Sequence, residues 1–136
     1  MDIRKAQIAD EFVVLDGQQR ASRVAVNEGM YAALDRDFNQ FRQCSLVAQY
    51  EFSGPWNSWE IHPAGDETVI LLSGSATFTL LTGDGQQQVA LATAGDYVLI
   101  PQGIWHTATT SEATRLLFIT PGENTRHHQG AEPPAL

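Results

Sequence analysis

From Cys44 onward, turn-forming residues cut the chain into apolar or alternating runs of about four to seven residues, and this punctuation restricts the fold most. Leu46 to Phe52 sets Leu46, Ala48, Tyr50 and Phe52 on one face and Val47, Gln49 and Glu51 on the other, the period of two of a β-strand. Ser53-Gly54-Pro55 breaks that run. Trp59 to His62 follows and is ended by Pro63 and Gly65. Glu67 to Leu72 carries aliphatic residues on both faces, as in a strand covered on two sides. Ser73-Gly74 turns the chain into Ala76 to Leu81, and Thr82-Gly83-Asp84-Gly85 is a hairpin turn returning through Gln86 to Leu91. Three further runs, Tyr97 to Ile100, Trp105 to Thr110 and Thr114 to Thr120, are set off by Gly95-Asp96 and Pro101-Gln102-Gly103. No helical periods alternate with the strands, which argues against a parallel βαβ sheet, and no internal repeat is visible. The fold class is therefore all-β, a sandwich or barrel.

The first third is less patterned. Phe12-Val13-Val14-Leu15 before Asp16-Gly17 reads as a short strand and turn. Leu34, Phe38 and Phe41 are four and three apart, so one short amphipathic helix is expected over Tyr31–Phe41. The tail from Pro121, with Gly122, Gly130, Pro133 and Pro134, should be ordered only where it docks. A length of 136 residues fits one domain, 1–136, with a barrel core at about 44–120 and flanks at 1–43 and 121–136.

Charge narrows the function classes. Eight Lys and Arg against sixteen Asp and Glu give a net charge of -8, and no basic cluster offsets it locally. That balance repels phosphate backbones and anionic lipid, so neither nucleic acid nor membrane is an expected partner. Cys44 is the only cysteine, which excludes an intramolecular disulfide. The longest apolar runs, such as Val69-Ile70-Leu71-Leu72, are too short to span a bilayer. Met1-Asp2-Ile3-Arg4-Lys5 leads into Asp10-Glu11 rather than an apolar export segment, so a cytoplasmic location is expected.

Chemistry concentrates on four residues. Glu60 and His62 are two apart in an extended segment and project from the same face. Glu67 opens the next strand, and His106 follows the Pro101-Gln102-Gly103 turn far downstream. Imidazole and carboxylate are donors that a divalent first-row metal accepts. The same residues could also do no more than hydrogen-bond one another in a barrel mouth.

The spacing Gly54, five residues, Glu60, one residue, His62, four residues, Glu67, six residues, Gly74 resembles the first cupin motif, G-x5-H-x-H-x(3,4)-E-x6-G. Gly95, five residues, Pro101, one residue, Gly103, two residues, His106 resembles the second, G-x5-P-x-G-x2-H-x3-N. Twenty residues, Ser75 to Ala94, separate the two. The resemblance implies a jelly-roll barrel of two antiparallel sheets with a divalent metal (Mn, Fe, Ni or Zn) held by Glu60, His62, Glu67 and His106. Two positions depart from the pattern: Glu60 replaces the leading His, and Thr110 the closing Asn. A two-Glu, two-His set would favour harder metals such as Mn or Fe. Without Glu60, two His and one carboxylate remain, with open positions. The implied function is a metal-dependent enzyme of oxygenase, isomerase or lyase type acting on a small polar molecule. The alternative is a non-catalytic domain that binds or senses a small molecule or metal.

Secondary candidates surround this set. Trp56, in a turn, could lie over the cavity mouth, whereas Trp59 and Trp105 alternate with the ligand positions and should face away. Gln49, Tyr97 and Arg115 are candidate substrate contacts, with solvent, core and edge positions as their respective alternatives. His127 and His128 are expected in an exposed loop. Glu67, Val69 and Leu71 should face inward and Thr68, Ile70 and Leu72 outward. That outer stripe is apolar enough to need cover from the N-terminal segment or a second subunit, so a homodimer is expected.

Overall fold

The computed structural model describes residues 2–135, which form eleven strands and one helix. Each alternating run of the sequence becomes a strand because one of its faces is apolar and the other can remain half wet. The first sheet contains β1 (Glu11–Leu15), β2 (Ala21–Ala25), β3 (Ser45–Phe52), β5 (Glu67–Ser73), β8 (Tyr97–Ile100) and β10 (Thr114–Thr120), ordered β2-β1-β3-β10-β5-β8. The second contains β4 (Ser58–Ile61), β6 (Ala76–Thr82), β7 (Gly85–Leu91), β9 (His106–Thr110) and β11 (Arg126–Gln129), ordered β11-β4-β9-β6-β7. Neighbouring strands pair antiparallel in both sheets, and the two face each other as a jelly roll.

Parity decides what fills the space between the sheets. Val69 and Leu71 of β5 and Leu116 of β10 meet Phe78 of β6 and Ala108 of β9, all buried. Full burial of each large aliphatic or aromatic side chain stabilises by about 1.5–3 kcal/mol, so this layer holds the two sheets together. A second apolar cluster lies at the β1–β3 end. There Phe12, Val14 and Leu46 pack against Met30 and Leu34 of α1 (Met30–Asp37) and against Phe41.

The helix is shorter than its sequence period predicts. It stops at Asp37, and Asn39, Gln40, Phe41 and Gln43 then take positive φ of 54°, 57°, 59° and 58°. A left-handed non-glycine residue costs roughly 1–2 kcal/mol. Burial of Phe41 in the second cluster offsets part of that cost and draws the chain back toward the barrel.

Three further expectations are corrected. The N-terminal segment does not cover the outer face of β5; it extends the first sheet edgewise through β1 and β2 and folds α1 over the inner side. Thr68 and Ile70 remain half-buried, and Leu72 is exposed. The mostly exposed β2, whose sequence ASRVA shows no alternation that announces a strand, pairs with β1 along its whole length. The tail is not a loop at Arg126–Gln129 but β11, paired with β4. Among the described residues, no helix is long and apolar enough to cross a membrane.

Candidate metal centre and its cavity

Local structure brings the donors together. Leu80 of β6 pairs with His106 of β9, which also pairs with Glu60 of β4, so the second sheet carries Glu60 and His106 side by side. The loop after β4 is clasped to the turn before β9. Asp66 accepts the Gln102 backbone N–H at 2.8 Å, Gln102 donates its side-chain amide to the Pro63 carbonyl at 2.7 Å, and the Gly103 N–H donates to the His62 carbonyl at 3.1 Å. Asp66 is thus a loop fastener facing away from the donors. At the far end, Thr110 stands in for the Asn of the second motif. Its hydroxyl donates to the Gly54 carbonyl at 2.9 Å and accepts the Gly54 N–H at 3.1 Å, tying the start of the first motif to the end of the second.

His62, Glu67 and His106 are all buried, and one donor atom from each lies within 4.8 Å of the others. His62 Nε2 is 3.3 Å from Glu67 Oε2, and His106 Nε2 is 3.2 Å from Glu67 Oε1. Both imidazoles are oriented from behind. His106 Nδ1–H donates to the Ile104 carbonyl at 3.1 Å. Thr125 donates its hydroxyl proton to the Gly122 carbonyl at 3.0 Å, so its oxygen must accept from His62 Nδ1–H at 2.8 Å. Each ring then turns an Nε2 lone pair toward a carboxylate oxygen. Facing lone pairs at this range repel unless positive charge lies between them.

The unpartnered atoms mark the same place. Among the described residues, Trp56 Nε1, His62 Nε2, Glu67 Oε1 and His106 Nε2 are the buried side-chain polar atoms without a hydrogen-bond partner, and three of the four converge here. Two donors about 2.1 Å from one ion lie about 3.0–3.4 Å apart for angles between a right angle and tetrahedral. Each imidazole is at such a spacing from one of the two Glu67 oxygens, so the donor set is compatible with a small divalent ion held between the rings and the carboxylate. Glu67 is also held by Thr120, whose hydroxyl donates to Oε2 at 2.5 Å. In the absence of an ion a proton on each Nε2 can take the place between ring and carboxylate: burial alone would push the Glu67 carboxyl up, but His106 and His62, once protonated, outweigh it and hold it at about 2. His106 moves the other way: burial lowers it, and the bond and charge of Glu67 more than compensate, leaving it raised.

Glu60 stands beside this triad rather than within it. Its Oε2 is 3.8 Å from His62 Nε2 and 3.5 Å from His127 Nε2 on β11. His127 opposes Glu60 in the β11–β4 register, so the loop expected for the His pair is corrected to a strand, while His127 is exposed as expected, at the rim of the site, and His128 packs edge-on to Trp105 at 6.4 Å.

From the donors a cavity of about 1040 Å³ runs toward α1. Trp56 lines it, as do the β3 face of Leu46, Ala48, Tyr50 and Phe52 and, from the helix side, Tyr31, Leu34 and Asp35. Trp59 is buried away from it, with its indole N–H donating to the Ala131 carbonyl at 3.2 Å. Burial and the Tyr31 hydroxyl against it push the Tyr50 phenol well above its usual range, so that group stays neutral. Gln49, Tyr97 and Arg115 do not line the cavity. Gln49 lies on the opposite face of β3 from Tyr50. Tyr97 is 61% exposed on the outer sheet face, and Arg115 sits on that face 3.9 Å from Glu51. Sequence reasoning missed Thr120, Thr125, His127 and the α1 wall. None carries a spacing signature, and only the paired β11 strand brings His127 into place.

A jelly-roll barrel with a buried His-Glu-His triad inside it defines a fold and a candidate site rather than one activity. The chain belongs to the cupin domain family, whose sequence profile matches residues 48–120. No curated protein matches the sequence. Among solved structures it is similar to a variant of Bacillus subtilis oxalate decarboxylase OxdC, with a TM-score of 0.50 and 20% identity over 63% of this chain. The match spans 23% of that chain's length. It is also similar to Streptomyces Pac13, described as a nucleoside dehydratase and also seen with uridine, with a TM-score of 0.53 and 16% identity. That match covers 65% of this chain and 71% of the other. At these identities the likeness is one of fold.

Proposed function

We propose that this chain works as a single-domain, divalent-metal-dependent enzyme, of oxygenase, isomerase or lyase type, on a small molecule taken into the barrel. One observation carries the reading: two imidazoles locked from behind aim their free nitrogens at the oxygens of one buried carboxylate, leaving three buried atoms without partners. His62, Glu67 and His106 would hold the ion, and Glu60 would join them by turning away from His127. A bound ion would supply Lewis acidity or an oxygen-activating centre with positions open to substrate. The chain's own residues do the rest. Thr120 and Thr125 fix the ligand orientations, Glu60 and His127 form a polar rim, and Phe52, Trp56 and Phe118 keep water from the inner wall. That neighbours of this fold are described as a decarboxylase and a dehydratase supports bond-breaking chemistry over sensing.

The test is metal content after purification without chelators. His106→Ala removes the only donor from β9 and should lose tight metal binding, whereas equal metal in both proteins would overturn the assignment. We also propose a cytoplasmic homodimer. Tyr97 and Leu99 on β8 join Ile70 of β5 and Leu117 of β10 in an apolar outer sheet face, and the adjacent Glu51–Arg115 pair would offer opposite charges to its own copy across a two-fold axis.

A further inference from the structure

The second sheet ends in a strand that buries almost nothing. In β11, Arg126, His127 and Gln129 are exposed and His128 is half-buried, so no apolar face holds it down. Its attachment is the four-residue ladder to β4, from Arg126↔Ile61 to Gln129↔Ser58, and two bonds beyond it. The Gly130 N–H donates to the Asn57 carbonyl at 2.8 Å, and the Trp59 indole N–H donates to the Ala131 carbonyl at 3.2 Å. An edge segment with so little buried surface opens locally, well below the free energy of global unfolding. It also lies beyond residues 48–120, the span that matches the family profile.

The inner end of the same segment reaches the donors. Thr125, the residue before β11, accepts from His62 Nδ1–H at 2.8 Å. β4 runs directly into His62, and its other neighbour, β9, meets it in one registered pair, Glu60↔His106, against the four supplied by β11. β11 therefore steadies both the strand that leads into His62 and the hydroxyl that orients its ring.

Resting on the metal reading above, we propose that residues 125–131 form a strap whose docking on β4 and ion binding at His62 favour each other. The ring orientation that aims Nε2 at an ion is the one that offers Nδ1–H to Thr125, and the docked strap holds the Thr125 oxygen there. Trp59 and Gly130 are positioning residues: neither lines the cavity, and each acts on His62 through the strap. Coupling of this kind is reciprocal, so an ion tightens the strap by the factor by which the strap tightens the ion.

Limited trypsin digestion of the full chain reads the strap, because Arg126 is exposed while the bond that follows it lies inside the β11 ladder. Arg20, in the exposed connection between β1 and β2, is the internal reference. Loading the wild type with Mn(II) should slow cleavage after Arg126 by at least about fivefold and leave cleavage after Arg20 unchanged. Gly130→Ala loosens the strap without touching the barrel: the position has a φ of +102°, and an added Cβ meets nothing within 4 Å. In metal-free protein it should speed cleavage after Arg126 by about tenfold. Solvent exchange of the His62 Nδ1 proton, followed by NMR, should rise by the same factor while that of His106 keeps its rate. Trp59→Phe, which removes the outer donor, should raise the same two rates. Bound Mn(II) with unchanged Arg126 cleavage, cleavage after Arg126 and Arg20 moving together, or a His62 proton indifferent to Gly130→Ala would overturn the proposal. The two readings fail separately. Stoichiometric Mn(II) without these responses sinks the strap alone, and a chain that takes up no Mn(II) yet shows the His62 response sinks the metal reading alone.

Discussion

At the scale of single residues, the centre depends on groups that never touch the ion as much as on those that would. Thr125 has one proton and gives it to the Gly122 carbonyl, so it can only accept from His62. Thr125→Ala should leave the fold intact, free the His62 ring and weaken metal binding by about 10–100-fold, the usual cost of losing such a partner. Competition with a calibrated chelator measures this, and unchanged affinity would show that His62 needs no fastening. The donors themselves were legible in the sequence because chemistry and spacing coincide: a two-residue step puts Glu60 and His62 on one face, and turn residues fix where His106 starts its strand. Thr120, Thr125 and His127 were not legible. A threonine at a strand end serves as often for β-propensity as for a hydrogen bond, and a histidine in a polar tail acquires its role only from the strand it pairs with.

At the scale of elements, the strands that bury one face were readable, while β2 and β11 were not, since their sequences, ASRVA and RHHQ, bury almost nothing. Their pairing comes from the neighbouring strand edge, not from their own pattern. The turn glycines obey a firmer rule. Gly74, between β5 and β6, has a φ of +86°, and an added Cβ would lie 2.8 Å from the Thr114 backbone Cα. Neither the conformation nor the neighbour can yield cheaply. Gly74→Ala should therefore cost about 2–4 kcal/mol, combining left-handed strain with overpacking, as read from denaturant midpoints. A loss below about 0.5 kcal/mol would mean the β5–β6 turn can rearrange. The helix was misjudged for a related reason: its apolar period continues to Phe41, but burying that ring requires the chain to leave the helix after Asp37.

At the scale of the whole molecule, two predictions follow from charge and from the outer face. Glu67 is depressed to about 2 from an ordinary 4.5, so its contribution to stability is complete above 4.5 and lost as pH falls toward 2. His106 is raised above its ordinary 6.5, so its contribution is complete below 6.5 and lost as pH rises through the raised value. Metal-free protein should accordingly be most stable between about 4.5 and 6.5, and Glu67→Gln should flatten the acid limb. Denaturation curves at several pH values check this, and an acid limb unchanged in the variant would exclude Glu67 as its source. On the outer face, Ile70→Glu places a carboxylate in the proposed subunit contact and should give a monomer in sedimentation at concentrations where wild type is a dimer. A wild-type monomer, or a variant that remains dimeric, would remove that face from the assembly.

The pairing of β11 with β4 also has a consequence in time. Thr125, which fixes the His62 ring, immediately precedes the last strand, more than sixty positions beyond the histidine it serves. Contacts of such long sequence separation form late, after shorter loops have closed. The β3–β10 pairing that closes the barrel, from Phe52↔Thr114 to Leu46↔Thr120, spans loops about as long or longer, so barrel and centre should form in one step: metal uptake during refolding should show no lag behind core fluorescence, and a clear lag would separate the two.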